Sequence, residues 1–492
     1  MILVLNHQQQ LSGNKLLLFW VILFAFTSCT VSKKASPLDD KNVQIIKSGT
    51  QKPFPGAITK DTSSAFGQHA NAETPSSSYK KSEVKIEIKI DTIYWKTPLG
   101  VKPPITIKGK KKVVYKEGID IRDSYNVKFL IPLNSDAYNP SELPQSRFVH
   151  YYAGVLRALE RLDDEQIKLN VTIIDTEEGN EKIKERLSEI VSEGTDLIIG
   201  PFERDDVKLM AEECKSKSIP LVSPWQTSTK IANENPYYIQ MKPNLKEHFV
   251  KLAQNTCLEF QKGEVAIIGK NNKETNLWIS YFQEAAKTNL NSKNADFYTP
   301  VYVTDDSLNV GVMAFVKIIK NPKIKAVIIP NYSYNDEAFI YSCLRKLLAE
   351  KGTRSIIVYG MPILYESEKI EFDFYHSLQM RIVMSDFVDE NQSEIREFRR
   401  EYLDIYGEIP TVDAVKGYDL MLYIGRNIWK YGKNFQNYLD NEAISYLQST
   451  FDVKKAKSED SIIGEDPSKF DFFENKHLDI IEFKGTRFQR RN

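Results

Sequence analysis

From residue 127 onward, short, mostly apolar runs alternate with longer stretches whose apolar side chains recur every three or four positions. The runs at 127–133, 169–174, 196–199, 219–222 and 237–241 have strand length and predict β-strands. Between them, residues 146–162 place Phe148, Tyr152, Val155, Leu156, Leu159 and Leu162 on one helical face. Val207, Met210, Ala211 and Cys214 mark the face of a second helix. The cycle then starts again. Strands are predicted at 265–268, 298–303, 326–329 and 356–359, separated by helices at 277–286, 310–319 and 336–348. Strands that are apolar throughout, rather than alternating, belong to parallel sheets covered by helices on both faces. Two such series in tandem predict an α/β protein with two doubly wound parallel-sheet lobes. Near the end, the segments flanking Glu474-Asn475-Lys476 alternate with period two and predict a terminal β-hairpin over 470–483.

The chain before residue 125 is patterned differently. Residues 16–26 form an apolar run of 11 after Lys15. A bilayer span needs about 20 residues, so this run has the size of a signal-peptide core instead. It ends at Phe26-Thr27-Ser28-Cys29, and small residues just before a cysteine resemble the lipobox of bacterial lipoproteins. The resemblance implies cleavage before Cys29 and acylation of that residue, and Thr30 in place of Asp implies the outer membrane. Residues 30–78 are rich in Ser, Thr, Lys, Asp, Asn and Pro without apolar periodicity, which predicts a disordered tether. Val84, Ile86, Ile88 and Ile90 then alternate with charged residues in strand period. Over 79–120 there are 11 lysines against 5 acidic residues, suited to an anionic lipid or wall surface, or to an edge strand blunted by lysines. The predicted partition is a leader at 1–28, a tether at 29–78, a basic β-rich arm at 79–124, and two lobes. The first lobe takes 125–243 with about 378–440, and the second 244–377 with about 441–492.

Composition narrows the function classes. The 492 residues carry 66 basic and 66 acidic side chains, without the basic excess of a general nucleic-acid binder. Because the arm is basic, the neutral total conceals a mildly acidic body. Four cysteines are too few for a disulfide scaffold. The six histidines, His7, His69, His150, His248, His376 and His477, are scattered without metal-ligand spacing. The chain has no Gly-x-Ser-x-Gly, His-Glu-x-x-His or phosphate-loop motif. No enzyme, metal or cofactor is therefore expected.

Three stretches carry a resemblance. They are Asp196-Leu197-Ile198-Ile199-Gly200-Pro201 followed by Ile219-Pro220-Leu221-Val222-Ser223-Pro224-Trp225-Gln226-Thr227, then Glu264-Val265-Ala266-Ile267-Ile268. The third runs from Phe398 through Tyr406-Gly407, Pro410 and Ala414 to Gly417-Tyr418-Asp419. Their order resembles the type I periplasmic binding proteins of the leucine/isoleucine/valine-binding family, over about residues 125–488. The resemblance implies a ligand-binding lipoprotein of the cell envelope that closes two lobes on a small molecule. Lipoprotein activators of penicillin-binding proteins use a similar fold to touch an envelope protein, which is the alternative role. In open parallel sheets, ligands sit beyond the carboxyl ends of strands. That rule selects Ser135, Arg204, Trp225, Gln226, Thr227, Asn271, Tyr332 and Tyr334 as candidate contacts. Arg204 would pair with an anionic group, and Trp225 and the tyrosines would stack on a ligand. Phe202-Glu203-Arg204 and Trp225-Gln226 depart from the small residues of amino-acid-binding relatives. Trp225 either meets a larger ligand or plugs the cleft.

Overall fold

The computed structural model describes residues 121–135, 146–177, 181–290, 296–309, 311–459, 461 and 469–491. The expected leader, Cys29, the tether and the arm up to Asp120 lie outside them. Strands β1 (Tyr125–Ile131), β2 (Leu169–Asp175), β3 (Leu197–Ile199), β4 (Leu221–Ser223) and β5 (Tyr238–Gln240) run parallel in the order β5-β4-β3-β1-β2. Strands β6 (Val265–Gly269), β7 (Tyr298–Tyr302), β8 (Ala326–Ile329), β9 (Ile357–Gly360) and β10 (Arg381–Met384) repeat that arrangement as β10-β9-β8-β6-β7. After a two-residue ladder of β11 (Ile444–Ser445) with β12 (Thr450–Phe451), four strands extend the sheets. β13 (Val453–Ala456) and β14 (Phe472–Asn475) join the first sheet, and β15 (Asp479–Lys484) and β16 (Arg487–Arg490) the second. Each lobe thus holds a seven-stranded mixed sheet among the described residues.

The long helices are α1 (Ser146–Asp164), α2 (Arg204–Lys217), α3 (Leu245–Glu259), α4 (Lys273–Asn289), α5 (Glu337–Lys351), α6 (Ser393–Tyr406) and α7 (Val412–Tyr431). They cover both faces of the sheets, which explains why every position of β3, β4, β6 and β8 is buried. Starts are set by caps. The Asn244 side chain accepts from Glu247 N at 3.1 Å, and Asn272 from Thr275 N at 2.8 Å. Among the described residues, no helix is long and apolar enough to cross a membrane. Cys214 and Cys343 are buried free thiols and Cys257 is a half-buried one.

The pair α1–α7 shapes the first lobe. A Cβ on Gly154 would lie 1.8 Å from the Ala414 carbonyl oxygen, and one on Gly417 would lie 2.1 Å from that of Tyr151. Two glycines facing two backbones let the helices cross in direct contact. The start of α7 is thereby set beside the start of α1.

Three expectations are corrected. Residues 310–319 do not form one helix; only Val316–Ile319 is helical, after a 3-10 turn at Asp306–Leu308. Gly311 sits at φ +93°, and the Glu350 carboxylate takes the amides of Ala314 and Phe315 at 2.8 and 2.9 Å. Those amides have a side-chain acceptor in place of a helical one.

The terminal alternation is not one hairpin either. β14 runs parallel to β5, pairing Phe473 with Ile239, while β15 runs antiparallel to β10, pairing Ile481 with Ile382. Lys476-His477 spans the lobes, and the terminal hairpin is β15–β16. The lobe assignment changes with it. β10 belongs to the second sheet rather than the first, and β13 and β14 to the first rather than the second. Burial of all four β14 side chains requires cover on both faces, which an outer hairpin would lack.

Candidate functional site

The chain passes between lobes three times, after β5, after β10 and after β14. Polar side chains tie the crossings together. Buried Glu474 accepts from Asn244 N at 2.7 Å and Asn244 Nδ2 at 3.1 Å. Lys476 Nζ bonds both Glu474 and Glu247, the latter at 2.7 Å. On the third crossing Asp479 pairs with His477 at 3.1 Å and Arg490 at 2.9 Å. Arg490 also donates to the carbonyls of Phe387 and Gln448, both at 2.9 Å.

Beside these crossings lies a compact set of charges. Lys242 follows β5 by two residues and Asp386 follows β10 by two, so the carboxyl ends of the two sheets meet in their ion pair. Lys242 Nζ donates to Asp386 Oδ2 at 2.5 Å, and Lys416 Nζ, from α7, lies 3.4 Å from the same oxygen. Burial opposes ionisation of Asp386, but the two ammonium groups outweigh it and hold the carboxyl well below its usual range. Burial also lowers the pKa of Lys242, with Asp386 working the other way.

Asp413 extends the set, 3.9 Å from Lys416 and 3.8 Å from Arg147 of α1. Glu366 of the second lobe acts on both lysines electrostatically and accepts from Tyr334 Oη at 3.1 Å. Tyr151 is buried, and its phenol is pushed well up by burial and by Asp413 and Asp386. Asp413 Oδ1 and Asn331 Oδ1, one from each lobe, are buried without a hydrogen bond. A buried acceptor without a hydrogen bond costs about 1–3 kcal/mol, a cost that the Lys416 ammonium 3.9 Å away offsets in part at Asp413 Oδ1.

The wall of the first lobe is aromatic. Trp225 packs edge-on against Phe148 and Phe202, each at 5.1 Å between ring centres, and lies 6.1 Å from Tyr151. The Arg147 guanidinium covers its other side, 3.9 Å from the ring centre.

The eight residues selected from the sequence fall in different situations. Trp225 is a packing residue in this cluster. Gln226 Nε2 donates to the Phe202 carbonyl at 2.6 Å and fastens the same wall. Ser135 is committed to Asp175, which accepts from its amide at 2.8 Å and its hydroxyl at 2.7 Å. Arg204 is exposed at the first turn of α2, and Thr227 and Asn271 are exposed in their loops. Tyr332 and Tyr334 are exposed on the second lobe, Tyr332 with its ring centre 5.8 Å from that of Trp278. Sequence reasoning missed Arg147, Lys242, Glu366, Asp386, Asp413 and Lys416. For Lys242 and Asp386 there was a signal, a charged residue two positions beyond the end of a strand.

A family model described as the receptor family ligand binding region matches residues 152–289. No curated protein matches the sequence. Solved structures do. A putative branched-chain amino acid ABC transporter from Rhodospirillum rubrum has a TM-score of 0.53 at 15% identity, covering 75% of this chain and 100% of that one. An ABC transporter substrate-binding protein from Desulfitobacterium hafniense has a TM-score of 0.50 at 12% identity, covering 75% and 100%. A branched chain amino acid ABC transporter periplasmic ligand-binding protein from Burkholderia xenovorans has 0.50 at 12%, covering 75% and 94%. With its two like-wound lobes and three crossings, the chain has the fold of the type I periplasmic binding proteins.

Proposed function

We propose that this protein is a non-catalytic solute receptor of the cell envelope, tethered by a lipid on Cys29, which binds a small molecule between its lobes. The observation that carries this reading is the pair of buried acceptors, Asp413 Oδ1 and Asn331 Oδ1, one on each lobe and neither hydrogen-bonded. A solute that donates to both contacts the two lobes at once. It therefore favours the closed arrangement by its differential affinity for it. The aromatic wall of Phe148, Phe202 and Trp225 fills the first-lobe side, so the solute rests on this wall and does not enter it. Short strand-to-helix loops and three crossings supply the frame on which such closure turns.

The test is thermal unfolding of the full chain against amino acids, peptides, nucleosides and wall fragments. A bound solute raises the midpoint in proportion to RT ln(1 + [L]/Kd), about 2.7 kcal/mol at a hundredfold excess over Kd. Small-angle scattering should show a smaller radius of gyration with the same solute. A flat response across the panel sinks the reading.

A further inference from the structure

Between β7 and β8 the second lobe carries a segment of one-sided charge. From Ser307 to Asn335 the chain has four lysines, Lys317, Lys320, Lys323 and Lys325, and no acidic residue. Lys325 is engaged by Glu264 at 2.6 Å. Lys317, Lys320 and Lys323 are exposed and make no ion pair among the described residues. Just ahead of them, Val312 and Met313 are 50% and 53% exposed.

This segment is irregular, yet it is firmly held. Three residues spaced four apart, two on α5 and one just beyond it, grip its backbone. Lys346 Nζ donates to the Asn309 carbonyl at 2.9 Å. The Glu350 carboxylate accepts from the amides of Ala314 and Phe315 at 2.8 and 2.9 Å. The Arg354 guanidinium donates to the carbonyls of Ile318, Ile319, Asn321 and Ile324 at 2.8, 2.7, 3.1 and 2.7 Å. Phe315, Ile318 and Ile324 point inward and are buried in the core of the lobe. The inward side is therefore fixed by packing and by hydrogen bonds, and the outward side is apolar at one end and cationic at the other. Because the backbone is already ordered, contact with a partner loses little conformational freedom.

The chemistry of the outward side selects the partner. Protein interfaces are depleted in lysine, so three lysines without a carboxylate among them are a poor match for a protein surface. An anionic bilayer satisfies both halves of the pattern. Lipid phosphates take the ammonium groups, lysine stems lie along the apolar boundary, and short apolar side chains enter beneath the headgroups. We propose that residues 312–323 are a docking surface for an anionic phospholipid bilayer, with Val312 and Met313 entering the headgroup boundary and Lys317, Lys320 and Lys323 on the phosphates. This goes beyond the receptor reading and requires neither a solute in the cleft nor acylation of Cys29. It assigns the membrane-facing side of the folded body to the second lobe.

Met313 supplies its own probe. Met210, Met241, Met361, Met380, Met384 and Met421 are buried, so Met313 is the exposed methionine among the described residues. Peroxide should oxidise it first, and lipid cover should slow the reaction. The full chain is mixed with vesicles of phosphatidylglycerol and phosphatidylcholine in equal parts, or of phosphatidylcholine alone, and Met313 sulfoxide is followed by peptide mass spectrometry. Protection is expected with the anionic vesicles. Joint replacement Lys317→Gln, Lys320→Gln and Lys323→Gln should reduce it at least about fivefold, the factor for a single lysine at an anionic surface. Val312→Ser should reduce it as well. The control is Lys168→Gln, Lys208→Gln and Lys217→Gln, three exposed lysines of the first lobe, which should leave protection intact. Melting temperatures without lipid check that each variant is folded. Equal oxidation with and without anionic vesicles overturns the inference. So does protection that survives loss of Lys317, Lys320 and Lys323, that is as strong on phosphatidylcholine alone, or that falls equally in the control. Protection by lipid-free envelope proteins in place of vesicles would assign the surface to a protein partner and overturn it too.

Discussion

Asp419 shows what one buried side chain can organise. It is fully buried on α7, and its carboxylate accepts from the amides of Leu447, Gln448 and Ser449 at 3.1, 2.9 and 2.9 Å. Ser449 in turn forms a β-bridge with Asp386, so this carboxylate positions a loop that touches the charged set between the lobes. Burial pushes its pKa from 3.8 up to about 7, against the pull of the three amides. Between those two values the folded chain holds a proton that the unfolded chain has released. Stability from this group therefore falls as pH rises through that window. Asp419→Asn removes the titration. The stability advantage of the native residue over Asn, from urea unfolding, should be larger near pH 5 than near pH 8. A difference independent of pH would show that the carboxylate stays ionised. Asp419→Ala strands three amides and should cost on the order of 3–5 kcal/mol. The sequence placed Asp419 in a recognisable motif with Gly417-Tyr418. Its partners stood 28 to 30 positions away, outside any local pattern.

At the scale of elements, strands were the most readable and their surroundings the least. A strand covered on both faces must be apolar at every position, so β6 and β8 announced themselves in the one-dimensional text. The helix pattern over 310–319 was equally apolar, yet a carboxylate from α5 captured two of its amides. Local periodicity cannot register a competitor more than thirty residues away. The crossing of α1 with α7 makes the same point through size. Gly154→Ala would set a methyl group against the Ala414 carbonyl, and backbone cannot rotate away as a side chain can. The expected loss is about 3 kcal/mol, or failure to fold, by thermal unfolding. Gly263→Ala is the control, with nothing within 4 Å of its Cβ and only a φ of +81° to strain it. It should cost about 1 kcal/mol. Equal losses at the two sites would argue against backbone contact as the cause. Because the same crossing sets Asp413 and Lys416 beside Arg147, solute binding should weaken with any Gly154 variant that still folds.

For the whole molecule, the three crossings decide which segment belongs to which lobe. Neither the first two thirds of the chain nor its composition specifies that β14 returns to the first sheet before β15 enters the second. The return also lays Glu474 and Lys476 against Asn244 and Glu247, where the chain first leaves the lobe. The proposed lipid anchor rests on sequence outside the described residues. We expect Cys29→Ser to move the protein from the membrane fraction to the soluble one and to abolish incorporation of labelled palmitate. Two or more acyl chains give stable anchoring, while one is marginal, so the shift should be nearly complete. Retention of Cys29→Ser in washed membranes would rule out the lipid anchor.

The sequence by itself determined the α/β class and the two tandem strand series. Each of these follows from burial pattern, which is written locally. Only the tertiary structure decided which side chains meet at the carboxyl ends of the two sheets. It turned Trp225 and Gln226 into wall and committed Ser135 to Asp175. It also brought Arg147, Lys242, Asp386 and the α7 pair Asp413 and Lys416 together from four separate stretches of chain. Charged residues carry no period and pair across any distance in sequence. Their meeting is set by where packed helices and sheet ends come to rest.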